Sequence, residues 1–159
     1  MDTVAYWCLL GDLSKVRAAI GRGEDVNDKT FHGNTGLMCA LMKKHNSIMK
    51  LLLEQPLLDL NLTADDGRTA LHFAALFDNV EGARMLLADP RLNTHNHKDK
   101  DIGWTPVMAA MCRNKANTLR ELVAHPSVDL DTTDYQGSNL EDWARYELIL
   151  LHVFFTKFN

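Results

Sequence analysis

Apolar positions along the chain fall into short clusters with helical spacing, separated by turns and polar stretches. The clearest stretch runs from Asp66 through Ala75, is interrupted by a turn, and resumes from Glu81 through Leu87. The same order of short helix, turn, second apolar helix and polar stretch recurs along the sequence. Two independent landmarks give its period. The segments Leu51 to Pro56, Met85 to Pro90 and Glu121 to Pro126 read almost alike, with prolines 34 and 36 residues apart. Gly33, Gly67, Gly103 and Gly137 each precede a helical pattern at spacings of 34, 36 and 34. A shared period of this length predicts an all-α stack of about five helix-turn-helix units, each burying its apolar face against its neighbours.

Asp66-Gly67-Arg68-Thr69-Ala70-Leu71-His72-Phe73-Ala74-Ala75 resembles the signature of the ankyrin family, Asp-x-x-Gly-x-Thr-Pro-Leu-His-x-Ala-Ala. Gly103-Trp104-Thr105-Pro106-Val107-Met108-Ala109-Ala110 matches next best, and the stretches from Gly33 and Gly137 match more weakly. Gly11 to Asn27 resembles a half-matched first repeat. The resemblance covers nearly the whole chain and implies an ankyrin-repeat solenoid with projecting β-hairpin-like loops. Its repeats would span about 1–28, 29–62, 63–96, 97–132 and 133–159 as a single domain.

The motif residues have physical roles of their own. Glycine supplies the positive-φ turn, Thr35, Thr69 and Thr105 are positioned to cap helix N–H groups, and Pro106 suits a first helical turn. Ala40, Ala74, Ala75, Ala109 and Ala110 let neighbouring first helices approach closely. His72 is replaced by Met38 and Met108 in the adjoining units, so a hydrogen-bond network built on it would be incomplete. Pro90 to Gly103 is 13 residues where Pro56 to Gly67 is 11, so the loop from Asn93 to Gly103 carries two extra residues and should protrude.

Composition narrows the function. The net charge of -4 and the absence of a basic run argue against nucleic acid as a partner. Three widely spaced cysteines among apolar neighbours suit core-filling thiols in a reducing compartment, and the chain reads as cytoplasmic or nuclear. No stretch is long and apolar enough for a membrane span. No nucleophile motif, phosphate-cradling loop or paired Cys/His metal motif is present. His95 and His97, followed by Asp99 and Asp101, come nearest to one and read as a solvated loop. No enzyme activity, cofactor or metal is therefore expected.

The repeat geometry places loop tips and first-helix ends on one concave side. That predicts a protein-binding groove of Phe31, His32, Asn34, Met42, Lys43, Asp65, Asp66, Arg68, Leu76, Phe77, Asp101, Ile102, Trp104, Cys112, Arg113, Tyr135, Gln136, Ser138 and Tyr146. Aromatic and arginine side chains are common interface anchors, and Trp104 and Phe77 are the leading candidates unless they pack inside the stack. The function expected is an intracellular adaptor or scaffold holding a folded domain or a peptide. The alternative is a stoichiometric inhibitor, like the small cyclin-dependent kinase inhibitors of this family, and a metal-dependent enzyme is the remote one. Resemblance to hydroxylated ankyrin repeats implies asparaginyl hydroxylation at Asn61 first and Asn27 second, with His95 and Asp131 at the matching later positions. The apolar run Leu148 to Phe155 is expected to drive self-association.

Overall fold

The computed structural model describes residues 3–146, which contain nine helices and no extended strand. They are α1 (Val4–Leu10), α2 (Leu13–Gly21), α3 (Gly36–Lys43), α4 (Asn46–Leu53), α5 (Ala70–Leu76), α6 (Val80–Ala88), α7 (Pro106–Cys112), α8 (Ala116–Ala124) and α9 (Leu140–Tyr146). The odd-numbered helices pack side by side in one layer, and α2, α4, α6 and α8 pack behind them in a second. Each pair forms one unit of an all-α solenoid. The apolar run Leu148 to Phe155, with its expected self-association, lies outside the described residues.

Packing follows from the sequence pattern. Ala40, Ala74, Ala75, Ala109 and Ala110 are all at most 1% exposed, so small side chains separate consecutive first helices. The second helices bury only one face: Ile48, Met49 and Leu52 on α4, Ala83 and Leu86 on α6, Leu119 and Leu122 on α8. Each fully buried aliphatic side chain contributes about 1.5–3 kcal/mol, and the core they build is continuous along the stack.

Hairpin-like loops project between the units. Isolated antiparallel bridges join Lys29 to Thr35, Thr63 to Thr69 and Thr133 to Asn139. At each tip a glycine adopts positive φ, 79° at Gly67 and 83° at Gly103. A side chain there would also collide with the next hairpin: a Cβ on Gly103 would stand 2.7 Å from the Tyr135 ring, and one on Gly67 2.9 Å from the Lys100 nitrogen. The hairpins thus stack on one another, with Lys100 N donating to Asp66 O and Tyr135 N to Ile102 O, both at 2.9 Å.

The loops behind them are stitched by asparagine. Asn27 Nδ2 donates to Leu57 O and its Oδ1 accepts from Asp59 N; Asn61 makes the same pair with Arg91 O and Asn93 N. In the next unit the stitching residue is Asn96, bonded to Ser127 O and Asp129 N, and not His95 as the spacing suggested. The extra residues of the long loop explain the shift. One lies before the hairpin, moving the asparagine by one position. The other lies in the tip, where Asp99 N reaches Trp104 O across five positions while Ala64 N reaches Arg68 O across four.

Three non-glycine residues that follow the first helices, Lys44, Asp78 and Asn114, hold left-handed backbone with φ of 58°, 51° and 53°. Asp78 uses its position: its carboxylate accepts from Thr118 N and Oγ1 at 3.2 and 2.9 Å.

The threonine caps differ from unit to unit. Thr35 Oγ1 accepts from Met38 N at 3.3 Å. At Thr69 the backbone N–H donates to His72 Nδ1, with the Thr69 hydroxyl 2.9 Å from the same nitrogen. Thr105 makes no side-chain cap, and its buried hydroxyl has no hydrogen-bond partner; Met108 stands where His72 meets Thr69 in the unit before.

Candidate functional site

A cleft of about 740 Å³ opens between the hairpins and the first-helix ends of three consecutive units. Its lining is His32 and Asn34 from one hairpin, Asp66 and Arg68 from the next, Phe73, Leu76 and Phe77 from the end of α5, and Arg113 and Lys115 after α7. α5 reaches this surface because its other face is filled by Ala70, Leu71, Ala74 and Ala75. Phe73 and Phe77 fall on the same side one turn apart, their rings nearly parallel with centroids 6.2 Å apart. Phe77 is 39% exposed.

The hairpin wall is a charge network centred on Arg68. Its guanidinium lies 3.1 Å from Asp66, 3.7 Å from Asp99 and 3.8 Å from Asp101. Asp99 is 1% exposed, and its carboxylate accepts from the backbone N–H groups of Ile102, Gly103 and Trp104 at 2.9–3.3 Å. Arg68 therefore compensates a buried carboxylate that also shapes the tip of the following hairpin. The Asp66 and Asp101 carboxylates are partly neutralised by the same cation.

Behind the cleft, His72 is fully buried and joins two units. Its Nε2 lies 2.8 Å from Trp104 O while Nδ1 faces Thr69 N. Since a carbonyl only accepts and an amide N–H only donates, the ring is neutral with its proton on Nε2. Burial holds its pKa down to about 4, against the upward pull of the Trp104 carbonyl and Asp99.

Of the groove positions taken from the sequence, His32, Asn34, Asp66, Arg68, Leu76, Phe77 and Arg113 share this cleft. Lys43 is exposed on the same row of helix ends, and Met42 and Cys112 are half-buried one residue earlier. Phe31 is 96% exposed with its ring edge-on to His32, and Asp65, Asp101 and Tyr135 are exposed at the hairpin tips, with Ile102 half-buried between them. Gln136 and Ser138 belong to a separate hollow with Asp142 and Trp143. Trp104 is not a groove residue: it is 8% exposed and packs edge-on against Trp143 of α9, with centroids 5.6 Å apart. A large indole at that position gains more from covering the next unit than from facing water. Phe73 and Lys115 were missed. Helical spacing from Phe77 would have found Phe73, but nothing in the sequence distinguishes Lys115 from other surface lysines.

The residues suggestive of chemistry do not converge. His95 stacks on His125 at 5.3 Å, Asp99 turns into its own hairpin, and Asp101 faces Arg68. Among the described residues no group of three or more His, Cys, Asp or Glu could hold a metal ion, and no helix is long and apolar enough to cross a membrane. Cys8 and Cys39 are buried, and burial pushes both thiols up, Cys39 to about 11, which suits packing and not nucleophilic attack.

The sequence model for ankyrin repeats, in three copies, matches residues 4–96. Similar proteins include the probable E3 ubiquitin-protein ligase XBOS33 of Oryza sativa subsp. japonica, 42% identical over 50% of this chain and 15% of that protein. The BTB/POZ domain-containing protein 1 of Schizosaccharomyces pombe is 33% identical over 66% of this chain and 7% of its own length. The target of rapamycin complex 2 subunit AVO2 of Saccharomyces cerevisiae is 30% identical over 65% of this chain and 24% of its own. The chain spans less than a quarter of each of these relatives.

Proposed function

The chain belongs to the ankyrin-repeat family, whose repeats are protein-interaction modules, and on that premise we propose that it is an intracellular adaptor without catalytic activity. One observation carries the reading: three consecutive units contribute side chains to a single open cleft that combines aromatic, arginine and half-buried aliphatic groups. Such a surface suits a protein partner, since stacked aromatics and arginines supply most of the energy at interfaces. Its openness to solvent on the long side of the solenoid argues against a reaction that needs water excluded. A partner captured with the wild-type chain and identified by mass spectrometry provides the test. The double substitution Phe77→Ala with Arg113→Ala is expected to weaken that partner by about 2 kcal/mol or more, roughly thirty-fold, with an unchanged helical spectrum. Full affinity in the double variant would place the binding face elsewhere.

A further inference from the structure

Counting from the capping threonines, Lys43, Phe77 and Arg113 occupy one position in three successive units, and Met42, Leu76 and Cys112 occupy the position before it. The earlier row is half-buried and packs against the core, and the later row is exposed. The solenoid therefore presents an apolar stripe running across its units, with an edge that reads cation, aromatic, cation. Lys115 adds another positive charge to the lining of the cleft, and Lys44 directly follows Lys43. The one carboxylate among these helix ends, Asp78, is held by Thr118. No ion pair joins Lys43, Lys44, Arg113 or Lys115 to a described residue, whereas Arg68 on the opposite wall is surrounded by three carboxylates. In a chain of net charge -4 this is a local inversion of sign.

We propose that this edge recognises an extended acidic segment of a partner protein, with one bulky apolar residue on Leu76 and Phe77 and carboxylates reaching Lys43 on one side and Arg113 with Lys115 on the other. The assignment rests on the cleft being the binding face. Spacing sharpens it. Adjacent packed helices lie ~10 Å apart, so the two cationic ends are ~20 Å apart, and a chain extended as polyproline II advances about 3.1 Å per residue and returns to the same face every third residue. About three residues therefore separate the apolar anchor from the carboxylates on either side. A basic segment would meet uncompensated cations at both ends. A purely apolar one would leave those cations desolvated and unpaired.

The experiment uses short fluorescein-labelled peptides and fluorescence anisotropy on the whole chain. One peptide has a central Phe with Glu residues three positions before and after it. The others carry Lys for Glu, Ala for Phe, or Glu moved next to the Phe. The first is expected to bind at least about ten-fold more tightly than the others, and to weaken as salt is raised. The variant Lys43→Glu with Arg113→Glu should reverse the preference toward the Lys peptide while keeping the wild-type helical spectrum. Equal binding of the Glu and Lys peptides, no binding of either, or a charge-reversed variant with unchanged preference would each overturn the acidic assignment. The captured partner separates the two readings. If it responds to Phe77→Ala with Arg113→Ala but not to competition by the Glu peptide, the cleft stands and its proposed ligand falls; if it ignores the cleft substitutions, both fall.

Discussion

In the third unit the hairpin is tied to its helix by His72, which reaches back to Thr69 and across to Trp104. In the fourth unit Met108 makes no such bond, the Thr105 hydroxyl is left without a partner, and the isolated bridge found in the other hairpins is missing. Order there comes from Asp99, whose carboxylate gathers three backbone N–H groups inside a tip one residue longer. The same junction is thus secured once by a neutral ring between two units and once by a buried anion within one. The ring bonds directly to the neighbouring unit; the anion bonds the amides of its own hairpin and meets the preceding unit through the Arg68 ion pair at 3.7 Å. Met38 shows an intermediate form, its sulfur accepting from Thr35 N at 3.4 Å without reaching the next unit.

The largest test of this contrast is Asp99→Ala. Three buried N–H groups would lose their acceptor and Arg68 its buried partner, so unfolding by denaturant should show a loss of about 4 kcal/mol. A loss below ~1 kcal/mol would mean that stacking on Tyr135 already holds the tip. Next in size is the pH dependence of His72. Its folded pKa is depressed to about 4 from an ordinary 6.5, so the unfolded chain binds the proton more readily in between. Stability should be complete above pH ~6.5, fall as pH drops toward 4 by about 3 kcal/mol, and gain no further loss from this group below that. His72→Met should remove this part of the slope in equilibrium unfolding across that window. An identical slope in wild type and variant would assign it to other groups. The smallest effect is expected from Met108→His, which offers Thr105 the acceptor it lacks and should raise stability at pH 7 by about 1 kcal/mol in the same measurement. A decrease would show that the fourth unit relies on the methionine's packing.

Which of these devices could be read in advance depends on whether position alone determines them. The tip glycines, the buried alanines and the capping threonine at 35 were legible because each meets a local backbone need that recurs with the period. Seven of the nine residues lining the cleft were legible for the same reason: hairpin tips and helix ends at equal register share a face, so Leu76, Phe77 and Arg113 came together as spacing required. Trp104 was misplaced because equal register fixes where a side chain starts and not which way a large ring finds cover; Trp143 lies 39 residues away in another unit. Spacing put His95, not Asn96, at the position matching Asn61, because the count of two extra residues in the long loop does not say where they sit. The role of Asp99 was hidden for a similar reason, since an aspartate among loop histidines and lysines looks solvated until its three amide partners are seen.

The left-handed residues Lys44, Asp78 and Asn114 have a consequence for the chain's capacity to change. Glycine would relax each of these turns, because a non-glycine residue carries about 1–2 kcal/mol of steric cost there. The fold thus holds a reserve of stability at Lys44 and Asn114, whereas Asp78 offsets its backbone cost through the two bonds to Thr118. Keeping side chains at those two sites leaves the molecule less robust than its backbone permits, and leaves it two adjustable positions beside the edge proposed for an acidic segment. Substitution to glycine would harden the scaffold while erasing them, so robustness and specificity compete here at single residues.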